Sequence, residues 1–190
     1  MTAEKVQKIK VVGISGSLRK KSFNTALLRE AKALAPDGME IEIFDIIDVP
    51  LFNADVEAVG DPAAVKAMKE AIRAADGVLF ATPEYNHSTS GVLKNAIDWA
   101  SRGKDSPLVG KPVTFMGTGG IAGSSRAQMH LENIFVETRS YSMSKPGVIL
   151  PFARTQFDAD LHLLNDDVKV SVKKHLEAFV IWINKVGTKA

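Results

Sequence analysis

The sequence predicts a doubly wound α/β fold, a parallel sheet with helices on both faces, and three observations carry that prediction. Short apolar runs rich in β-branched residues alternate with stretches in which apolar residues recur at helical spacing. One run, Gly77 to Thr82, is apolar almost throughout, as a central parallel strand buried on both faces must be. Glycine-rich turns follow strand-like runs and lead into helical ones, the order in which parallel strands are joined by crossover helices.

Val11 to Ile14 is the first strand, ending in a Gly/Ser turn that reaches Ser17. From Thr25 to Leu34, the spacing of Leu27, Ala31 and Leu34 predicts the first helix. Ile41 to Phe44 is the second strand. A helix beginning near Pro62 follows, with Val65, Met68 and Ile72 on one face and Asp61 as its expected N-cap. Gly77 to Thr82 is the third strand, and Val92, Ala96 and Ala100 mark the helix after it. Pro112 to Met116 is the fourth strand, and the turn Gly117 to Gly123 opens a helix from about Ser125 to Glu137. Gly147 to Leu150 is the fifth strand. Asp166 to Ile183 closes the chain as a helix whose stripe is Val168, Val172, Leu176, Phe179 and Ile183. Five strands alternating with five helices, joined by right-handed crossovers, form a sheet that binds ligands at the carboxyl ends of its strands. Residues 1–190 read as one domain, with no internal repeat, low-complexity tract or linker. On the helix after the fourth strand, Met129 and Val136 lie apart from Leu131 and Phe135. Either a second subunit covers that extra stripe, or the helix is deeply buried in a monomer.

Composition narrows the chemistry. The 24 basic and 22 acidic residues leave a formal charge of +2, too balanced for a chain built to grip nucleic acid. Cysteine is absent, which excludes disulfides, Cys-ligated metal centres and thiol catalysis, so a redox role requires a cofactor. Met1 to Lys10 has no apolar signal-peptide core, and no run approaches the length of a membrane span; a cytoplasmic protein is expected. His87, His130, His162 and His175 lack zinc-ligand spacing, and no G-x-S-x-G elbow raises a serine nucleophile, so no metal site is expected.

Three segments fall at one rim of the predicted sheet. Gly16 to Asn24 (GSLRKKSFN) joins hydroxyls, an amide and basic side chains to a helix N-terminus, a combination suited to a phosphate. Arg19 offers charge-assisted hydrogen bonds, and Ser17, Ser22, Asn24 and Thr25 neutral ones. The alternatives are that Asn24 is only an N-cap and that Lys20 and Lys21 are solvated charges. No G-x-G-x-x-G or Walker A spacing is present, which favours a mononucleotide over a dinucleotide. Thr82 to Ser88 (TPEYNHS) brings a stiff Pro83, an aromatic Tyr85 and backbone groups for a planar heterocycle, or else is an ordinary strand-to-helix loop. Glu84 is a potential general base there, although its orientation is not legible from sequence. Gly117 to Gly120 (GTGG) allows close approach of a flat ligand, or merely turns the chain into the next helix.

Together, G-S-L-R-K-K-S-F-N, P-E-Y-N and S-G-V-L-K-N-A-I-D-W (Ser90 to Trp99) resemble the NADPH-dependent FMN reductase family, and within it the bacterial chromate and quinone reductases. The likeness runs from about Val11 to the final helix. It implies a flavodoxin-like five-stranded sheet of order 2-1-3-4-5 and non-covalent FMN. The cofactor-binding residues it implies are Ser17, Leu18, Arg19, Ser22, Phe23, Asn24 and Thr25 around the phosphate, and Pro83, Glu84, Tyr85, Asn86, Thr118 and Gly119 around the ring. It implies NADPH or NADH as donor, quinones and chromate as acceptors, a two-step ping-pong reaction with no catalytic side chain, and a homodimer or homotetramer. Arg102 and Arg126 are then candidates for binding an incoming anion, with an interface role or a solvated helix end as alternatives for Arg102. The rival function is a flavodoxin-type electron carrier that takes electrons from a protein; such carriers are commonly strongly acidic, which this chain is not. A second rival is a binding module that keeps the fold without the chemistry.

Overall fold

The computed structural model describes residues 8–187; the part of the Met1 to Lys10 reading that falls on residues 1–7 lies outside them. Five strands, β1 (Ile9–Ser15), β2 (Met39–Phe44), β3 (Gly77–Ala81), β4 (Pro112–Thr118) and β5 (Tyr141–Leu150), form one parallel sheet. Its order is β2-β1-β3-β4-β5, as the resemblance implies. The helices are α1 (Phe23–Ala33), α2 (Ala54–Val59), α3 (Ala63–Ala74), α4 (Gly91–Ala100), α5 (Ser125–Glu137), α6 (Ala153–Gln156) and α7 (Asp166–Val186). Among the described residues, no helix is long and apolar enough to cross a membrane.

Successive side chains of a strand point to opposite faces, so the central strands feed two cores at once. In β3, Leu79 and Ala81 pack with α1 and α7 residues such as Leu27, Leu28, Val172 and Phe179. Val78 and Phe80 face the other way, onto Val65, Met68 and Ile72 of α3, Leu93 of α4, and Leu131 and Phe135 of α5. This two-sided burial is why Gly77 to Thr82 reads as an unbroken apolar run.

Two expectations on element limits need correction. Asp61 does not cap α3: Pro62 occupies the N-cap without a side-chain hydrogen bond, and the Asp61 carboxylate pairs with Lys69 Nζ at 2.7 Å. The fifth strand begins at Tyr141 rather than Gly147. Its pairing with β4 steps from Thr114↔Met143 to Met116↔Val148, so extra residues bulge out of register. Pro146 hid this strand from sequence reading; β5 is an edge strand, the one place in a sheet where proline is tolerated. The bulge is fastened from inside. The buried His175 of α7 donates from Nδ1 to Pro146 O (2.6 Å), and the Thr114 hydroxyl donates to Met143 O (2.8 Å) while lying 3.1 Å from His175 Nε2.

On α5, the stripe of Leu131 and Phe135 is fully buried, whereas Met129 and Val136 are 64% and 76% exposed. The second stripe therefore faces away from the chain's own core, and the deeply buried helix is ruled out.

Candidate functional site

The turns after β1, β3, β4 and β5 surround a cavity of about 460 Å³ at the carboxyl edge of the sheet. Local caps shape these turns, and long-range hydrogen bonds lock one turn to another. Ser22 is the N-cap of α1, its hydroxyl accepting from Thr25 N. Ser90 caps α4 by accepting from Leu93 N, and donates to the buried Gly16 O at 2.6 Å, which binds the turn after β1 to the one after β3. The Thr25 hydroxyl lies 2.8 Å from Ser15 Oγ, inside the turn. Asn24 is buried and spans the gap to β4: its Nδ2 donates to Thr118 O and its Oδ1 accepts from Thr118 N, both at 3.0 Å.

The wall formed by α1 is a donor surface. The N–H groups of Phe23 and Asn24, in the first turn, have no intrahelical partner and no other acceptor among the described residues. Ser17, Arg19 and Ser22 stand beside them, with the Arg19 guanidinium 5.1 Å from the centre of the Phe23 ring. On the β3 side, Tyr85 and Ser88 exchange backbone hydrogen bonds at 3.0 Å across Asn86 and His87, whose φ values are 49° and 62°. This tight turn leaves Tyr85 56% exposed at the cavity.

Glu84 does not stand free as a base. Its Oε1 accepts from Arg126 Nη1 (3.0 Å), and its Oε2 from the backbone N–H of Arg126 (2.9 Å) and Ala127 (3.3 Å). The carboxylate so caps α5, whose own N-cap Ser124 makes no side-chain cap bond. Burial works to raise its pKa, but the hydrogen bonds and charge of Arg126, with the Ala127 N–H, hold it below the ordinary carboxylate value.

Among the glycines at the end of β4 and in the turn after it, a Cβ on Gly117 would stand 2.2 Å from Thr82 O, and one on Gly119 would stand 2.1 Å from Gly123 O. Their missing side chains make room for the protein's own backbone. Of the two glycines that line the cavity, Gly119 and Gly120, only Gly120 has no atom within 4 Å of its would-be Cβ.

A sequence model of the NADPH-dependent FMN reductase family, a family of oxidoreductases, matches residues 9–155. The chain belongs to that family. It is 49% identical over 179 residues to an NAD(P)H-dependent FMN reductase of Pseudomonas aeruginosa, covering 94% of this chain and 97% of that protein. It is 48% identical over 143 residues to a quinone reductase of Escherichia coli K12 (74% and 76% covered) and 42% identical over 182 residues to an NADPH:quinone oxidoreductase of Arabidopsis thaliana (91% and 92% covered). Among solved structures, the flavoenzyme NAD(P)H:(acceptor) oxidoreductase FerB of Paracoccus denitrificans superposes with a TM-score of 0.86 at 35% identity, covering 94% of this chain and 99% of that one.

In this member of the FMN reductase family, the structure gathers ten of the sequence-expected residues at the cavity: Ser17, Arg19, Ser22, Phe23, Asn24, Pro83, Glu84, Tyr85, Thr118 and Gly119. Leu18, Thr25 and Asn86 do not line it. Thr25 is turned to Ser15, and Asn86 is spent on the tight turn. The Asn24 side-chain amide bonds Thr118 through both Nδ2 and Oδ1, which holds α1 against β4. Arg102 and Arg126 do not line the cavity either, and each is neutralised. Arg102 binds both oxygens of Glu57 at 3.0–3.1 Å and lies 5.2 Å from the Phe52 ring centre, while Arg126 binds Glu84. Of Arg19, Arg102 and Arg126, only Arg19 lines the cavity.

Sequence reading missed a fourth wall, the segment Phe152, Ala153, Arg154 and Thr155. That segment has no glycine signature, and α6 spans only Ala153–Gln156, too short to show periodicity, so no local signal marks it.

Proposed function

We propose that this chain is an FMN-dependent NAD(P)H oxidoreductase whose acceptors are quinones, donor and acceptor using the cavity mouth in turn. The observation that carries the reading is the cavity's division of labour. One wall offers unpartnered N–H groups, Ser17, Ser22 and Arg19, which fit a phosphate; the other offers Tyr85, Pro83 and the side-chain-free Gly120, which fit a flat ring. When bound there, FMN supplies the two-electron chemistry that links a nicotinamide donor to a quinone. The protein's part is to hold the phosphate at α1, to fix the ring's edge against the loop from Pro83 to Tyr85, and to leave one side of the site open. Exposed Tyr85 and Phe152 flank that opening and suit a stacking acceptor. Assembly into a homo-oligomer belongs to the same proposal, supported by the exposed Met129 and Val136 stripe of α5.

The test is the visible spectrum of the FMN-loaded chain under nitrogen. Flavin bands that bleach on adding NADPH and return on adding menadione are the expected result. Bands that persist with NADPH and NADH point to an electron carrier needing a protein donor. A chain that takes up no FMN sinks the reading.

A further inference from the structure

Two guanidinium groups line the cavity, Arg19 from the turn after β1 and Arg154 from α6, after β5. The cavity's carboxylate, Glu84, is already neutralised by Arg126. Among the described residues, neither Arg19 nor Arg154 forms an ion pair, whereas Arg73, Arg102 and Arg126 each carry a carboxylate partner. The cavity therefore holds two positive charges without a carboxylate partner, only one of them on the α1 wall.

The segment that carries the second arginine is held in place rather than forming a loose loop. Phe152 N donates to Gly120 O (2.9 Å), Ala153 N to Gly119 O (2.8 Å), and the Thr118 hydroxyl to Leu150 O (2.9 Å), which sew the start of α6 to the turn after β4. Inside the segment, the Thr155 hydroxyl donates to Phe152 O (2.9 Å) and Gln156 Nε2 to Pro151 O (3.0 Å). Phe152 takes φ 54°, a left-handed conformation that a non-glycine residue keeps only where surrounding bonds over-determine it. At the far end of α6, Phe157 stacks on Phe23 at 5.4 Å, the same ring that carries Arg19. The stack ties the end of α6 to the first residue of α1.

Resting on the reading of the cavity as a flavin site, we propose that Arg154 is a second phosphate-recognising residue. A planar guanidinium without a carboxylate partner, on a segment fixed at the edge of a site whose α1 wall fits one phosphate, is matched to phosphate oxygens in charge and in geometry. Two ligands bring that chemistry: FMN itself, and the nicotinamide donor through its diphosphate or, in NADPH, its 2′-phosphate.

The experiment compares wild type, Arg154→Ala and Arg154→Lys, with Arg19→Ala as reference. Flavin fluorescence titration with FMN and with riboflavin, which lacks the phosphate, reads the first source. Steady-state kinetics with NADPH and with NADH reads the second. If the phosphate is that of FMN, Arg154→Ala raises the FMN Kd roughly ten- to a hundred-fold, as Arg19→Ala does, and leaves riboflavin binding unchanged. If it is the donor's, FMN affinity holds while KM for NADPH rises by a similar factor at nearly constant kcat. NADH follows in step when the contact is to the diphosphate and is spared when it is to the 2′-phosphate. Arg154→Lys recovers part of either loss. Unchanged FMN and donor constants in Arg154→Ala overturn the inference, as does a parallel loss of riboflavin binding, which marks a structural role. A wild-type chain that binds no FMN fails at the earlier step and overturns the flavin reading itself.

Discussion

At the scale of single residues, the cavity depends on atoms that are missing as much as on atoms present. Gly117 and Gly120 look alike in sequence, yet they stand in opposite surroundings. A methyl on Gly117 meets the Thr82 carbonyl at 2.2 Å and Ser124 Oγ at 2.3 Å, groups held in place by β3 and by the start of α5. A methyl on Gly120 meets nothing. Gly117→Ala is therefore expected to cost at least about 2 kcal/mol of stability, because backbone cannot swing aside as a side chain can. Gly120→Ala is expected to leave stability within about 0.5 kcal/mol and to weaken FMN binding by filling the cavity. Thermal unfolding with and without FMN separates the two; equal melting temperatures for both apo variants contradict the argument. Asn24 makes the same point with polar atoms, since both ends of its amide are used on Thr118.

At the scale of elements, α5 is capped by a residue from another loop. Ser124 makes no side-chain cap bond, and Glu84 supplies the missing acceptor from 42 residues upstream in the chain. Glu84→Gln removes the charge at the helix N-terminus and the pair with Arg126, and should lower stability by about 1 kcal/mol. That corresponds to roughly 2–4 °C in melting temperature for a chain of this size. Because the pKa of Glu84 is held below its ordinary value of 4.5, its contribution is present above that range and is lost as pH falls through the folded-state pKa. The stability difference between variant and wild type should then shrink in acid; a difference that persists once the carboxylate is protonated would falsify the charge account. The same pair binds the ring loop to α5, so helix cap and cavity wall stand or fall together.

At the scale of the whole molecule, His175 joins the last helix to the bulged edge strand through the interior. Burial pushes its pKa below the ordinary value of 6.5, and the bond to Pro146 only partly opposes this. The unfolded chain accordingly takes up a proton, as pH falls below about 6.5, that the folded chain does not, and stability declines. Above that pH the ring is neutral in both states and the penalty vanishes. The exposed His162 works in the opposite sense, because its hydrogen bond to Glu30 raises its pKa. Denaturant unfolding at pH 7.5 and 5.5 should show a loss in wild type that is smaller in His175→Gln. The difference in slope can reach one proton, about 1.4 kcal/mol per pH unit. Equal slopes for the two proteins would mean that His175 does not titrate differently on folding.

What the sequence determined by itself is whatever depends on near neighbours along the chain. The alternation of strands and helices, the two-sided burial of β3, the span of α5 and the three loops at the carboxyl edge all follow from periodicity and turn chemistry, which act over a few residues. Family motifs are legible for the same reason, although not every motif residue serves the cavity. Asn95 and Trp99 of the Ser90 to Trp99 segment hold the loop from Pro50 to Phe52 by hydrogen bonds to Pro50 O and Phe52 N. Tertiary structure alone decided how the charges pair and which wall closes the cavity. Arg102 and Arg126 were open in sequence to an anion, and folding brought them to Glu57 and Glu84, 45 and 42 residues away. Arg154 sits in no motif and on no periodic stripe, and folding brought it to the cavity unpaired. The reason is physical: hydrophobic period and backbone conformation are local properties, whereas the partner of a charge is fixed by distances that exist only once the sheet has brought remote loops to one edge.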